Sequence, residues 1–185
     1  NEHPGKRVVF LAIGFETTSP TIAVAILRAK EEKIGNLFFL NSQKRVPPAL
    51  MALLQAKQVK VDGLILPGHV SAILGTHPYQ FIAREFGKPA VITGFEPLDI
   101  LQGIWMLVKQ IEEDRAVVEI QYRRVVHEEG NPTALTKIDE VFEQDEGRWR
   151  GLGLIPDSGY RFKESYKGMD VRTFDVDVEP SREHP

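Results

Sequence analysis

Glu16, His69, Glu96 and Asp99 are the side chains best placed for chemistry, because each lies just past a glycine turn that closes a short apolar run. Two of the turns are near copies. Gly14-Phe15-Glu16-Thr17-Thr18 follows residues 8–13, and Gly94-Phe95-Glu96-Pro97-Leu98-Asp99 follows residues 90–93. Between them, Pro67-Gly68-His69-Val70-Ser71 follows the run at 64–66. Carboxylates and an imidazole can pass protons or orient a ligand near neutral pH. The hydroxyls of Thr17, Thr18 and Ser71 can line the same space. Two acids in a partly buried cleft raise each other's pKa, which suits a proton relay.

Each residue also has a plainer use. Gly14 and Gly94 can serve only as sharp turns. Thr17, Thr18 and Ser19 can serve only to cap a helix, and Asp99 sits where a carboxylate favours a helix N-terminus. A strand-end histidine such as His69 is often a hydrogen-bonded turn residue. Glu16 alone has no evident local task, since hydroxyls beside it already supply the cap. Placement of all these residues on one rim is what favours a site.

That rim requires strands and helices in alternation. Apolar runs at 8–13, 37–40, 63–66 and 90–93 lack a polar alternation, as strands covered on both faces do. The spacing leaves a crossover helix after each, the condition for parallel pairing. Ser19-Pro20 opens the first helix, with Ile22, Ala25, Ile26 and Ala29 on a buried stripe. The second starts at Pro47-Pro48 and buries Leu50, Leu53 and Leu54. The third runs from Thr76 through Tyr79, Ile82, Ala83 and Phe86 to a left-handed cap at Gly87. The fourth starts at Pro97 and buries Leu101, Ile104, Leu107, Val108 and Ile111. Residues 1–115 are thus expected to form an α/β lobe, a Rossmann-like doubly wound parallel sheet of about four strands. Ligands of such sheets sit at the carboxyl ends of the strands.

Residues 116–185 read as an extension packing on this lobe or on other parts of a longer protein. Weak alternation at 116–126 fits an edge strand, and Asn131-Pro132 opens a helix with Leu135, Ile138, Val141 and Phe142 on one face. From Gly147 the chain is rich in glycine and aromatics and reads as an extended arm. Residues 181–185 read as a disordered or truncated tail. Trp105 and Trp149 are expected to pack rather than to stack on bases.

The 185 residues suffice for one domain with an extension, and a hydrophobic content of 42% suffices for a core. A net charge of −3 gives no reason to expect nucleic acid or an acidic membrane as partner. No apolar run approaches transmembrane length. With no cysteine in the sequence, this chain offers neither disulfides nor thiolate ligands. There is no phosphate loop, no zinc helix and no nucleophile elbow, and Gly151-Leu152-Gly153 lacks the flanking strand and helix of a dinucleotide fingerprint.

Taken together, Gly-Phe-Glu-Thr-Thr at 14–18, Pro-Gly-His-Val-Ser-x-Ile-x-Gly at 67–75 and Gly-Phe-Glu-Pro-x-Asp at 94–99 resemble the HypD family of NiFe-hydrogenase maturation proteins. Order and spacing both match, and the likeness runs from about Val8 to Val178. It implies a cytoplasmic assembly scaffold with two Rossmann-like lobes and an iron–sulfur domain. A HypC-like partner helps hold iron while cyanide and carbon monoxide are installed, and a HypE-like partner delivers the cyanide. The family's Cys-Gly-x-His motif, second cysteine pair and cluster cysteines are missing here, and the chain opens on Asn1 rather than methionine.

The resemblance therefore implies a central segment that lines one wall of the iron-assembly cleft. No cofactor is expected on this chain. Iron and a 4Fe–4S cluster are implied for the full-length family through the absent cysteines. Glu16, His69, Glu96 and Asp99 are the proton-relay candidates, and Thr17, Thr18 and Ser71 line the cleft. The alternative is a small-molecule or nucleotide-binding α/β enzyme using the same loops, and a further one is a lobe whose rim residues only shape turns.

Overall fold

The computed structural model describes residues 5–56 and 58–174. The tail at 181–185 and the end of the resemblance at Val178 lie outside the described residues. The chain alternates as the apolar runs require: β1 (Val8–Ala12), α1 (Ser19–Glu31), β2 (Leu37–Asn41), α2 (Val46–Gln55) and β3 (Leu64–Pro67). It continues with α3 (Gly68–Leu74), α4 (Gln80–Arg84), β4 (Ala90–Thr93), α5 (Pro97–Glu112) and β5 (Val118–Ile120). Then come α6 (Pro132–Val141), β6 (Phe142–Trp149) and β7 (Gly153–Phe162).

The α/β class is as expected, and β1 to β5 pair only in parallel. They do not form one sheet. β1 pairs with β2, while β3, β4 and β5 make a second ladder in that order. The other side of β2 is taken by a later part of the chain. There the C-terminal segment bridges Phe39 through Asp170, and Lys44, just past the strand, bridges Gly159. The extension thus lines the outer edge of β2, and it also supplies β5 to the second ladder.

Each ladder has its own core. Around the first, Ile22, Ile26 and Phe39 pack with Ile138, Val141, Phe142 and Phe162 from α6 and the hairpin. Around the second, Leu66, Tyr79, Ile82, Ile92 and Ile120 are buried together. Each such apolar side chain contributes about 1.5–3 kcal/mol on leaving water. The glycine- and aromatic-rich arm is therefore folded back rather than extended: with β6 it makes an antiparallel hairpin whose Phe142, Tyr160 and Phe162 are buried, while its tip at 150–154 is exposed.

Helix faces differ from the sequence pattern in instructive places. On α1 the buried apolar residues are Ile22, Ala23, Ile26 and Ala29, and Ala25 is exposed. On α2 it is Pro47 and Ala49 that are buried, with Leu50, Leu53 and Leu54 only half-buried. The helix expected from Thr76 splits into a 3₁₀ turn (His77–Tyr79) and α4, and Gly87 closes it at φ 59° as expected.

The largest departure is α5, whose apolar stripe faces outward. Leu101 is 62% exposed and Trp105 60%, with Ile104, Val108 and Ile111 also exposed. Polar residues anchor the inner face instead. The Gln110 amide donates to Glu119 Oε2 at 2.7 Å and its carbonyl accepts from Val117 N, while Asp99 meets Arg124. α6 follows the pattern more closely. The Asn131 side chain caps it by accepting from Ala134 N at 3.0 Å, and Ile138 and Val141 are buried.

Candidate functional site

The turn after β1 needs glycine, because Gly14 sits at φ 146° and a Cβ there would lie 2.2 Å from Thr18 Oγ1. Past it the carboxyl of Glu16 turns inward and is fully buried. Its Oε1 accepts from Val46 N, the first amide of α2, at 2.9 Å. Glu16 therefore does have a structural task, as an acceptor at the start of a helix that lies 30 residues further on. Oε2 has no partner among the described residues. Burial pushes the carboxyl up to about 7, against the opposing pull of its own amide, the Val46 N–H and the Arg45 charge.

Thr17 and Thr18 are exposed beside it. Neither Thr18 nor Ser19 caps α1 in the expected sense, since both hydroxyls donate back to Phe15 O. Gln43, just past β2, donates through Nε2 to Ser19 Oγ at 2.9 Å, and its own Oε1 is buried without a partner among the described residues. The Tyr79 hydroxyl is buried as well, and burial raises its pKa while the Ser71 side chain opposes that push. Burial, and next the Glu16 charge, push the Tyr160 hydroxyl up to about 12, and the same charge acts on Tyr79. Glu16, Ser19, Gln43, Tyr79 and Tyr160 thus form one buried polar set where the first ladder, the turn before α4 and the hairpin meet.

His69, Glu96 and Asp99 gather elsewhere, at the ends of β3, β4 and β5. The exposed His69 ring lies 4.7 Å from Phe95 and 6.2 Å from Tyr122. Asp99 is buried in a two-pronged pair with Arg124, at 2.8 and 2.6 Å, and accepts from Gln121 Nε2 at 2.9 Å. The Arg124 hydrogen bonds hold its carboxyl at about 2, with Gln121 assisting and burial opposing. Glu96 is the exposed member, its side chain 78% accessible and 3.6 Å from Arg124. Gly94 is required here by close approach, since a Cβ would meet Asp99 Oδ2 at 2.0 Å.

The structure therefore brings His69, Glu96 and Asp99 together and places Glu16 in a separate buried set. The element between them is α3, which turns His69 outward and Ser71 inward. Ser71 is fully buried, and its hydroxyl donates to Pro67 O at 2.9 Å. The expected mutual repulsion of Glu16 and Glu96 is replaced by a different cause: desolvation alone raises Glu16, and the charge acting on it is Arg45.

Sequence reasoning missed Gln43, Arg45, Tyr79, Gln121, Tyr122 and Arg124. The strand-end rule itself could have found most of them, since Gln43 and Arg45 follow β2, and residues 121–124 follow β5. A cavity of about 460 Å³ between α2 and β7, walled by Pro48, Met51, Phe81 and Pro156, includes none of the predicted site residues.

Parallel strands with motif-bearing loops at their carboxyl ends define an α/β protein whose site candidates lie on strand-end turns. The family model described as "Hydrogenase formation hypA family", HypD, matches residues 1–185, and the chain belongs to that family. It is 45% identical over 183 residues to hydrogenase maturation factor HypD2 of Bradyrhizobium diazoefficiens, covering 95% of this chain and 48% of the relative. It is 46% identical over 170 residues to HypD of Rhodobacter capsulatus, covering 91% and 45%. With HypD of Escherichia coli K12 the identity is 43% over 171 residues, covering 92% and 46%. The chain spans about half the length of the curated relatives it matches. No helix among the described residues is long and apolar enough to cross a membrane.

Proposed function

We propose that this chain is the part of a HypD-type scaffold that lines the cleft where the Fe(CN)2CO group of NiFe hydrogenases is assembled. The observation that carries this reading is Glu16, a buried carboxyl near its protonation midpoint at neutral pH, set in a motif loop at a strand end. Ligand installation on iron moves protons, and an acid balanced near pH 7 can both give and take one. Glu16 is the relay group. Thr17, Thr18, His69 and Glu96 are exposed and orient what enters the cleft. Asp99 and Ser71 are internal and position the two loops.

Iron is cargo here, and its ligands come from outside this chain. Soft thiolates select iron–sulfur centres, whereas the donors at these turns are oxygens and one imidazole, with Asp99 already taken by Arg124. A 4Fe–4S cluster does not fit that donor set. HypC-like and HypE-like proteins are the partners, the compartment is the cytoplasm, and the role is that of a scaffold rather than a stand-alone enzyme.

The test is Glu16→Gln in the full-length family protein. Glutamine keeps an acceptor for Val46 N and loses the titration. Folding and binding of the HypC-like partner are expected to persist while hydrogenase maturation falls by about tenfold or more. Normal maturation with that variant, and with His69→Ala, would mean that the loops only shape the fold.

A further inference from the structure

Two motif glycines face one tyrosine. A Cβ on Gly68, in the Pro-Gly-His turn, would lie 2.8 Å from Tyr122 Cδ1, and one on Gly94, in the second Gly-Phe-Glu turn, 2.8 Å from Tyr122 Cδ2. The Tyr122 ring, carried by the turn after β5, is wedged between the loops that present His69 and Glu96, and glycine at both places is what admits it. Its own backbone is fixed. Tyr122 N donates to Ile92 O at 3.2 Å and Tyr122 O accepts from Val126 N at 2.9 Å, with Val126 buried in the core of the second ladder.

The neighbours of Tyr122 hold the same loops. The Gln121 side chain joins both ends of the Gly-Phe-Glu turn: Oε1 accepts from Gly94 N at 3.2 Å, and Nε2 donates to Asp99 Oδ1. Arg124 forks onto Asp99, lies over the Tyr122 ring at 4.4 Å from its centre, and reaches Glu96 at 3.6 Å. Phe95 and Glu96 lie between those anchors with their side chains exposed. The His69 imidazole enters no hydrogen bond or ion pair among the described residues, and it rests on the rings of Phe95 and Tyr122.

We propose that Tyr122, Gln121 and Arg124 are positioning residues, which set the His69 and Glu96 loops in register so that both side chains face one ligand. The proposal rests on the maturation reading only for the process that these two groups serve. Tyr122 fixes the spacing of the two loops, Gln121 fixes the shape of the second, and Arg124 locks Asp99, Glu96 and the tyrosine ring with a single side chain. That last task needs a planar fork and a flat cationic face, which the point charge of lysine does not supply. Misplacement of an orienting group by about 1 Å can cost roughly a hundredfold in rate.

The experiment uses the full-length family protein with only histidine and phenylalanine protonated, and it reads the nuclear Overhauser contact between the His69 and Phe95 rings alongside hydrogenase maturation. His69→Ala assigns the signal. Tyr122→Leu removes the wedge and leaves the Arg124–Asp99 pair, whereas Arg124→Lys keeps the charge and loses the fork. Both are expected to abolish or strongly weaken the ring contact and to lower maturation, by about tenfold for Tyr122→Leu and several-fold for Arg124→Lys. Tyr122→Phe keeps the ring and should retain the contact. Arg115→Met breaks an ion pair beside the start of β5 and should change neither readout, which separates positioning from the loss of any ion pair. Far-UV circular dichroism confirms folding, and Arg124→Lys carries the test if Tyr122→Leu does not fold. A ring contact unchanged in the folded variants, or lost equally in Tyr122→Phe, would overturn the proposal. Normal maturation in variants that have lost the contact would do so too, provided that His69→Ala or Glu96→Gln is itself defective. Normal maturation with both of those would instead count against the maturation reading, and the ring contact alone would then decide the positioning.

Discussion

Taking the Glu16 carboxyl out of water costs more than its hydrogen bonds return, which is why its pKa moves from 4.5 to about 7. The sign of the stability effect follows. Below about pH 4.5 both folded and unfolded chains hold this proton; between 4.5 and 7 the unfolded chain releases it first, so stability falls as pH rises. The full effect is roughly 3 kcal/mol. Glu16→Gln is expected to remove that slope, which urea-unfolding midpoints across the window will read. Asp99 behaves oppositely. Arg124 holds it at about 2, so its contribution is present above its ordinary pKa of 3.8 and fades as pH falls toward 2. Arg124→Ala should lower stability at neutral pH, and the difference from the parent should shrink toward pH 2. A mutant gap unchanged by pH would deny the pair. Neither partnership was legible in the sequence, because Val46 and Arg124 lie 30 and 25 residues from the acids they meet.

Elements were legible wherever local rules suffice. The apolar runs gave β1, β2, β3 and β4 nearly to the residue, and proline at the start of α1, α2, α5 and α6 marked each helix entry. Periodicity showed that α5 has an apolar face but could not show which way it points. Its inner face is chosen by Asp99, Gly103 and Gln110, whose partners lie on β4 and around β5. The consequence can be measured. Leu101→Gln should change stability by within about 0.5 kcal/mol, as surface substitutions do, whereas Ile92→Ala on β4 should cost about 2–5 kcal/mol. Equal losses would place α5 the other way round. Asn131→Ala, which removes the α6 cap, should cost about 1 kcal/mol in the same urea assay.

At the scale of the molecule, sequence reasoning grouped all strand-end residues on one rim because it assumed one sheet. Two ladders divide that rim, and what joins them is the C-terminal extension, whose partners along β2 no local pattern announces. The division explains the chemistry as well. His69 and Glu96 stay at the surface on the second ladder, while Glu16 is closed in where the first ladder, Tyr79 and the hairpin's Tyr160 converge. Its pKa is therefore a property of the whole packed molecule: separating the ladders or lifting the hairpin would hydrate it. A carbon-detected NMR titration of the glutamate side-chain carboxyls, with Glu16→Gln to assign the signal, tests this most directly. The packing described here predicts a midpoint at about 7 for Glu16. A midpoint near 4.5, the value of a hydrated glutamate, would contradict both the closed arrangement and the relay role built on it.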